Sequence, residues 1–116
     1  MKHVDPLVER FPALGDLRHE NWGGIPLYMR EPIVGYLLDG QPPGGFLSAV
    51  INGDLFEAVS RADGTNIHHL KDYVSFFYQH TPRGSYGYSG AAKNRVEEFK
   101  EKRKERQNEM DKGTDK

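Results

Sequence analysis

The sequence predicts an all-α fold, and three features of its pattern lead to that prediction. The 13 glycines and seven prolines among 116 residues divide the chain into short stretches, so each helix must be short. No stretch alternates apolar and polar residues long enough to form a strand. Instead, apolar residues recur at helical spacing, most clearly at Ile67, Leu70, Tyr73, Val74, Phe77 and Tyr78. We therefore expect one compact bundle of four or five short helices.

The N-terminal part is predicted to form a short helix and a loop. Asp5 can cap this helix, with Pro6 at its first position, and Pro12 limits it to about two turns. The following loop holds Trp22, the only tryptophan, which we expect to cover the core.

The next helix is predicted to begin near Glu31 and to end at Gly40. Pro32 removes a backbone donor and is therefore better placed in a first turn than in a helix interior. Gly40 is a typical residue just beyond a helix end.

Three further helices are predicted before Pro82. Asp54 can cap one of them, with Glu57 three residues later, and Asn66 can cap the next. The inward faces of these helices predict a core composed of Phe46, Leu47, Val50, Leu55, Val59, Leu70, Val74 and Phe77.

The charges divide the chain unevenly. Residues 1–92 carry 7 Lys/Arg and 10 Asp/Glu, whereas residues 93–116 carry 9 and 7. A final helix, capped by Ser89, has Val96 and Phe99 as its large apolar anchors and should fray beyond them. We predict an N-terminal arm with a short helix at 1–24, a helical domain at 25–99 and a charged, largely disordered tail at 100–116.

Composition excludes several classes of function. The absence of cysteine excludes disulfides, thiolate metal sites and cysteine nucleophiles. A net charge of -1 argues against a protein whose whole surface binds nucleic acid. No apolar run is long enough for a membrane span, so we expect no membrane partner.

The groups that could support catalysis or metal binding have simpler interpretations. His68, His69 and Asp72 could approach one metal ion on a helix, but the helix phase turns them toward solvent. Asp54 and Asp63 are explained by a cap and a turn. The glycine clusters lack the lysine of a phosphate-binding loop. We predict no catalytic residue, no metal, no cofactor and no enzymatic activity.

The loop RGSYGYSG, residues 83–90, holds the candidate binding residues Arg83, Tyr86 and Tyr88. These side chains could fill pockets on a protein partner or stack on bases. Alternatively, the tyrosines fold back and cover the core. The tail mixes basic residues with glutamates, which favours a solvated extension over a phosphate-binding arm.

The central part of the chain also carries a recognisable pattern. It comprises Ile25-Pro26, Tyr36, Gly40, Pro43-Gly44-Gly45-Phe46-Leu47-Ser48-Ala49-Val50, Asn52-Gly53-Asp54-Leu55, Ala58, Ala62-Asp63, Asn66, Leu70, Val74, Phe77-Tyr78 and Pro82-Arg83-Gly84-Ser85-Tyr86-Gly87. In this pattern the chain resembles a group of small proteins encoded by tailed phages and prophages. The resemblance concerns caps, turns and core positions, so it implies a shared fold more than a shared activity.

The resemblance implies a phage-encoded accessory protein in the host bacterial cytoplasm. We expect a non-enzymatic protein that binds a host or phage macromolecule, preferably a protein, for example to modulate host metabolism or to block a defence system. The alternative is a nucleic-acid or nucleotide-binding protein that uses the RGSYGYSG loop and the charged tail. The sequence leaves the oligomeric state open.

Overall fold

The computed structural model describes residues 5–114, and side chains up to residue 109. Over these residues the chain forms helices and no strand, which confirms the predicted all-α class. Single 3₁₀ turns occupy Pro12–Gly15, Glu20–Trp22 and Asn66–His69. The α-helices are α1 (Pro6–Arg10), α2 (Leu27–Asp39), α3 (Gly45–Ile51), α4 (Leu55–Arg61), α5 (Leu70–His80) and α6 (Ala91–Thr114).

The predicted ends of three helices are confirmed. The Leu7 N–H donates to Asp5 Oδ1 at 2.8 Å at the start of α1. The Glu57 N–H donates to Asp54 Oδ1 at 3.1 Å at the start of α4. Gly40 closes α2 with a φ of +66°, a backbone conformation that favours glycine.

The predicted start of α2 was wrong. The helix begins at Leu27 rather than Glu31, and Pro32 lies inside it. Arg30 explains how the first turn persists: its side chain donates to the backbone carbonyls of Ile25 and Leu17, each at 2.8 Å. These two side-chain hydrogen bonds stabilise the first turn of α2, although Pro32 removes one backbone donor from the helix.

The predicted cap at Asn66 was also wrong. Asp63 takes that role, because its Oδ1 accepts the N–H groups of Thr65 at 3.0 Å and Asn66 at 2.6 Å. The Asn66 side chain is buried and accepts a hydrogen bond from the Tyr73 hydroxyl. The asparagine therefore joins the turn to the core of α5.

Trp22 covers the core, as predicted. Its ring stacks on Phe76 with the ring centroids 4.1 Å apart. Its Nε1–H donates to the carbonyls of Ala13 and Asp16, at 3.0 and 2.9 Å. Ala13, Leu14 and Trp22 thus belong to the same hydrophobic cluster as the central helices. The domain boundary after residue 24 stays a prediction.

The predicted core was only partly correct. Phe46, Leu47 and Phe77 are buried, and Val50 and Leu70 are partly buried. Three predicted core residues are exposed instead: Leu55 at 64%, Val59 at 45% and Val74 at 62%.

The reason lies in which faces of α4 and α5 touch the body. Ala58 is the one residue of α4 that is buried, so α4 rests on its small side chain. On α5, Tyr73, Phe76 and Phe77 turn inward and fill the core, and Val74 beside them remains exposed. On α4 the predicted inward residues Leu55 and Val59 are exposed, whereas on α5 only Val74 was assigned to the interior wrongly.

The last helix joins the body at its first turns. Ala91, Ala92 and Val96 are buried, and Arg95 Nη2 donates to the Leu37 carbonyl at 2.6 Å. From Lys100 to Glu109 every side chain is exposed. The described part of the charged extension is nevertheless helical, and ion pairs such as Lys100–Glu97 at 3.8 Å accompany it.

Candidate functional site

The loop that carries Arg83, Tyr86 and Tyr88 is tied to the body by hydrogen bonds. The Gly87 N–H donates to the Ile51 carbonyl at 2.7 Å. Ser85 is fully buried, and its carbonyl accepts the Tyr36 hydroxyl at 2.7 Å. The loop is therefore held in one shape by contacts with α2 and α3.

The three candidate residues point to different surroundings. Tyr86 is partly buried and packs on Phe77, with ring centroids 6.0 Å apart. Tyr88 accepts a hydrogen bond from Asn94 Nδ2 at 3.1 Å and donates to the Gly84 carbonyl at 3.2 Å. Arg83 is exposed. Tyr86 thus covers part of the core, while Arg83 and Tyr88 remain available at the surface, and their role in binding stays a prediction.

A larger exposed surface lies on α4 and α5. Phe56 is 87% exposed and Tyr78 is 74% exposed, beside the exposed Leu55, Val59 and Val74. We call these five residues the α4–α5 face. Leu55 and Val59 are one helical turn apart on α4, and Val74 and Tyr78 are one turn apart on α5, so each pair lies on one side of its helix.

A groove of about 120 Å³ runs between the two helices. Its walls are almost entirely apolar, and Asp54 is the one charged residue among them. Gly53 lines the same groove and lies against the backbone of Gly87, which places the RGSYGYSG loop next to it. The other residues of the lining are Ala49, Val50, Leu55, Ala58, Leu70 and Val74.

A second, basic cleft shares no lining residue with the groove. It has a volume of about 580 Å³ and is formed by α1, the end of α2 and α6. Lys102, Arg103 and Arg106 bring three positive charges to it, whereas Asp5 and Asp39 bring two negative ones. Arg103 also has a structural role, because its Nη1 donates to the backbone carbonyl of Asp39 at 3.2 Å.

The histidine and carboxylate candidates keep structural roles. His69 Nδ1 lies 2.9 Å from Asp72 Oδ2, and His68 is exposed. Among the described residues, no group of three or more His, Asp or Glu could hold a metal ion. Asp63 accepts backbone N–H groups, and this hydrogen bonding, first of all from Asn66, lowers the pKa of its carboxyl. These histidine and carboxylate side chains therefore serve to cap turns and to pair with each other.

The sequence analysis missed the α4–α5 face, although two signals were present. Leu55 and Phe56 are neighbours, and adjacent helical residues point about 100° apart, so both cannot face one core. The run from Tyr73 to Tyr78 is interrupted only by Ser75, so α5 carries more apolar side chains than one buried side can hold.

Comparisons with protein-family models, with curated proteins and with solved structures returned no match. Within residues 5–114, no helix is both long enough and apolar enough to span a bilayer.

Proposed function

We propose that this is a non-enzymatic binding protein whose α4–α5 face docks a protein partner. The exposed apolar side chains of that face carry the proposal. Single exposed apolar residues are normal on a protein surface, but contiguous apolar patches mark interaction sites. Leu55 and Val74 are exposed and line one groove, and the exposed Phe56 follows Leu55 on α4.

The body of the protein favours a docking role for this face over incomplete packing. Trp22, Tyr36, Tyr73 and Phe76 are all nearly or completely buried, so the fold sequesters large rings where it can. Phe56, in contrast, remains outside a core that is already filled. A ring kept at the surface supplies a rigid binding anchor at low entropic cost.

The resemblance to phage-encoded proteins supports a host or phage macromolecule as the partner, in the bacterial cytoplasm. The RGSYGYSG loop extends the proposed surface, because Gly87 lies against Gly53 at the groove. Arg83 and Tyr88 add a charge and a polar ring at that end. The capping and pairing tasks of Asp54, Asp63 and Asp72 support a non-enzymatic function.

Affinity capture tests the proposal. The tagged 116-residue chain is exposed to nuclease-treated bacterial lysate that also contains an untagged copy of the chain. We expect the wild type to retain a protein that Phe56→Ser and Val74→Ser lose. Leu27→Ser is the matched control, since Leu27 is an exposed leucine of α2 outside the face. Equal retention by all variants would contradict the proposal.

The basic cleft favours nucleic-acid binding as a second candidate function. Lys102, Arg103 and Arg106 lie within one turn of α6 and could contact successive phosphates. If they do, affinity for a DNA or RNA oligonucleotide falls steeply with salt, and Arg106→Glu reduces the slope of log K against log salt by about 1. Lys104→Glu is the control, because Lys104 is exposed on α6 but does not line the cleft.

A further inference from the structure

The α4–α5 face carries a projecting ring and a depression side by side. Phe56 projects into solvent from α4, and the residue before it, Leu55, lines the groove. An apolar cavity of about 150 Å³ holds a benzene ring, so a groove of about 120 Å³ that is open on one side is of the right size for one aromatic side chain. A face with both features can fit an identical face.

Resting on the proposed function, we infer that a second copy of this chain occupies the α4–α5 face. The two copies are related by a two-fold axis that lies in the interface between the groove and Phe56, and Phe56 of each copy enters the groove of the other. Such an isologous contact requires a self-complementary patch, which the adjacent ring and groove provide.

The area of the face is sufficient for this contact. The two rings and three aliphatic side chains expose roughly 600 Å² on each copy, because an aromatic side chain alone offers about 150–250 Å². Two copies would together bury at most roughly 1,200 Å², which is the lower limit for a specific interface. An interface of this size is typical of weak, reversible association.

Sedimentation of the full chain measures the prediction directly. We expect the mass to rise from 13.2 kDa toward twice that value as concentration increases through the micromolar range. Phe56→Ser and Val74→Ser should weaken dimerisation at least tenfold, whereas Leu27→Ser should not. All variants should keep the helical circular dichroism spectrum of the wild type.

The absence of native cysteine permits a test of the geometry. Phe56→Cys chains mixed with Val74→Cys chains under mild oxidation should form a disulfide-linked dimer. Leu27→Cys in place of either partner should not.

A wild-type chain that stays monomeric at all concentrations would overturn the inference. If that monomer still captured a lysate protein through Phe56, the proposed function would stand with a different occupant. If it captured nothing, both would fail. A dimer that survives both face substitutions would place the contact elsewhere and would also overturn the inference.

Discussion

The Tyr36 hydroxyl lies inside the core, where burial favours its neutral, protonated form. It donates to the Ser85 carbonyl at 2.7 Å, and burial raises its pKa to about 12, against the opposing effect of Arg95. Burial also raises the pKa of Tyr73, whose hydroxyl donates to Asn66. The Tyr36 hydroxyl thus joins two segments that are 49 residues apart in the chain.

We predict a loss of stability at alkaline pH that depends on Tyr36. Its folded-state pKa lies above the unfolded value of about 10, so its contribution is complete below pH 10 and is lost as the pH rises toward 12. Ultraviolet titration of tyrosine ionisation, combined with chemical unfolding at each pH, measures this effect. In Tyr36→Phe one late-ionising group should be missing, whereas that of Tyr73 should remain.

Tyr36→Phe should also be destabilising at neutral pH. The buried Ser85 carbonyl loses its donor, which costs about 1–3 kcal/mol in the free energy of unfolding. Tyr78→Phe, which changes an exposed ring, should stay within about 0.5 kcal/mol of the wild type. Equal stability of the two variants would show that the Tyr36 hydrogen bond contributes nothing.

The corrected core predicts opposite outcomes for two neighbouring residues of α5. Phe77 is 2% exposed, so Phe77→Ala should lower the free energy of unfolding by about 3–5 kcal/mol. Val74 is exposed, so Val74→Ala should change it by about 0.5 kcal/mol or less. Urea unfolding followed by circular dichroism distinguishes the two. If Val74→Ala lowered the free energy of unfolding by more than about 0.5 kcal/mol, Val74 would belong to the core, as the sequence predicted.

At the scale of elements, the end of α2 decides where α6 can lie. Gly40 has a positive φ, and a Cβ at this position would overlap the Phe99 side chain. Phe99 also lies under Arg95 and Lys102, whose cationic groups are 5.2 and 5.6 Å from its ring centroid. Gly40 thus ends α2 and leaves space for the Phe99 side chain of α6.

Gly40→Ala should therefore be strongly destabilising. The backbone strain and the displacement of Phe99 together should lower the free energy of unfolding by roughly 1–3 kcal/mol. Gly64→Ala is the matched control, because a Cβ at Gly64 meets no atom within 4 Å. Thermal unfolding of the two variants should differ clearly, and similar midpoints would contradict this role of Gly40.

At the scale of the whole molecule, two surfaces differ in chemistry and can be separated by salt. The α4–α5 face is apolar, whereas the cleft along α6 holds Lys102, Arg103 and Arg106. Apolar association depends little on ionic strength, and phosphate binding depends on it steeply.

We predict that protein association through the α4–α5 face is nearly independent of salt. Between about 50 and 200 mM salt its dissociation constant should change by less than about tenfold, whereas a nucleic-acid complex with 6–10 phosphate contacts weakens about 10³-fold or more. Sedimentation or binding titrations at several salt concentrations measure the difference. A steep slope that Arg106→Glu reduces by about 1 would favour the basic cleft as the functional surface.

The sequence by itself determined the fold class and several helix ends. These depend on local chemistry: Asp5 and Asp54 accept N–H groups two and three residues away, and Gly40 adopts a positive φ. The candidate loop was also located correctly as a connection rich in glycine. Such features depend only on residues that are close together in the chain, so they can be predicted from a single sequence.

Only the tertiary structure decided which apolar sides became the core and which became the α4–α5 face. The choice depends on contacts between remote segments, such as Tyr36 with Ser85 and Arg95 with Leu37, 49 and 58 residues apart. It also depends on Ala58, whose small side chain lets α4 rest on the body and turns Leu55 and Phe56 outward. Helical periodicity shows that a helix has an apolar side. It does not show whether that side is buried, because the interior has room for only some of the apolar side chains. On α5 the larger rings of Phe76 and Phe77 occupied that volume, and Val74 remained at the surface.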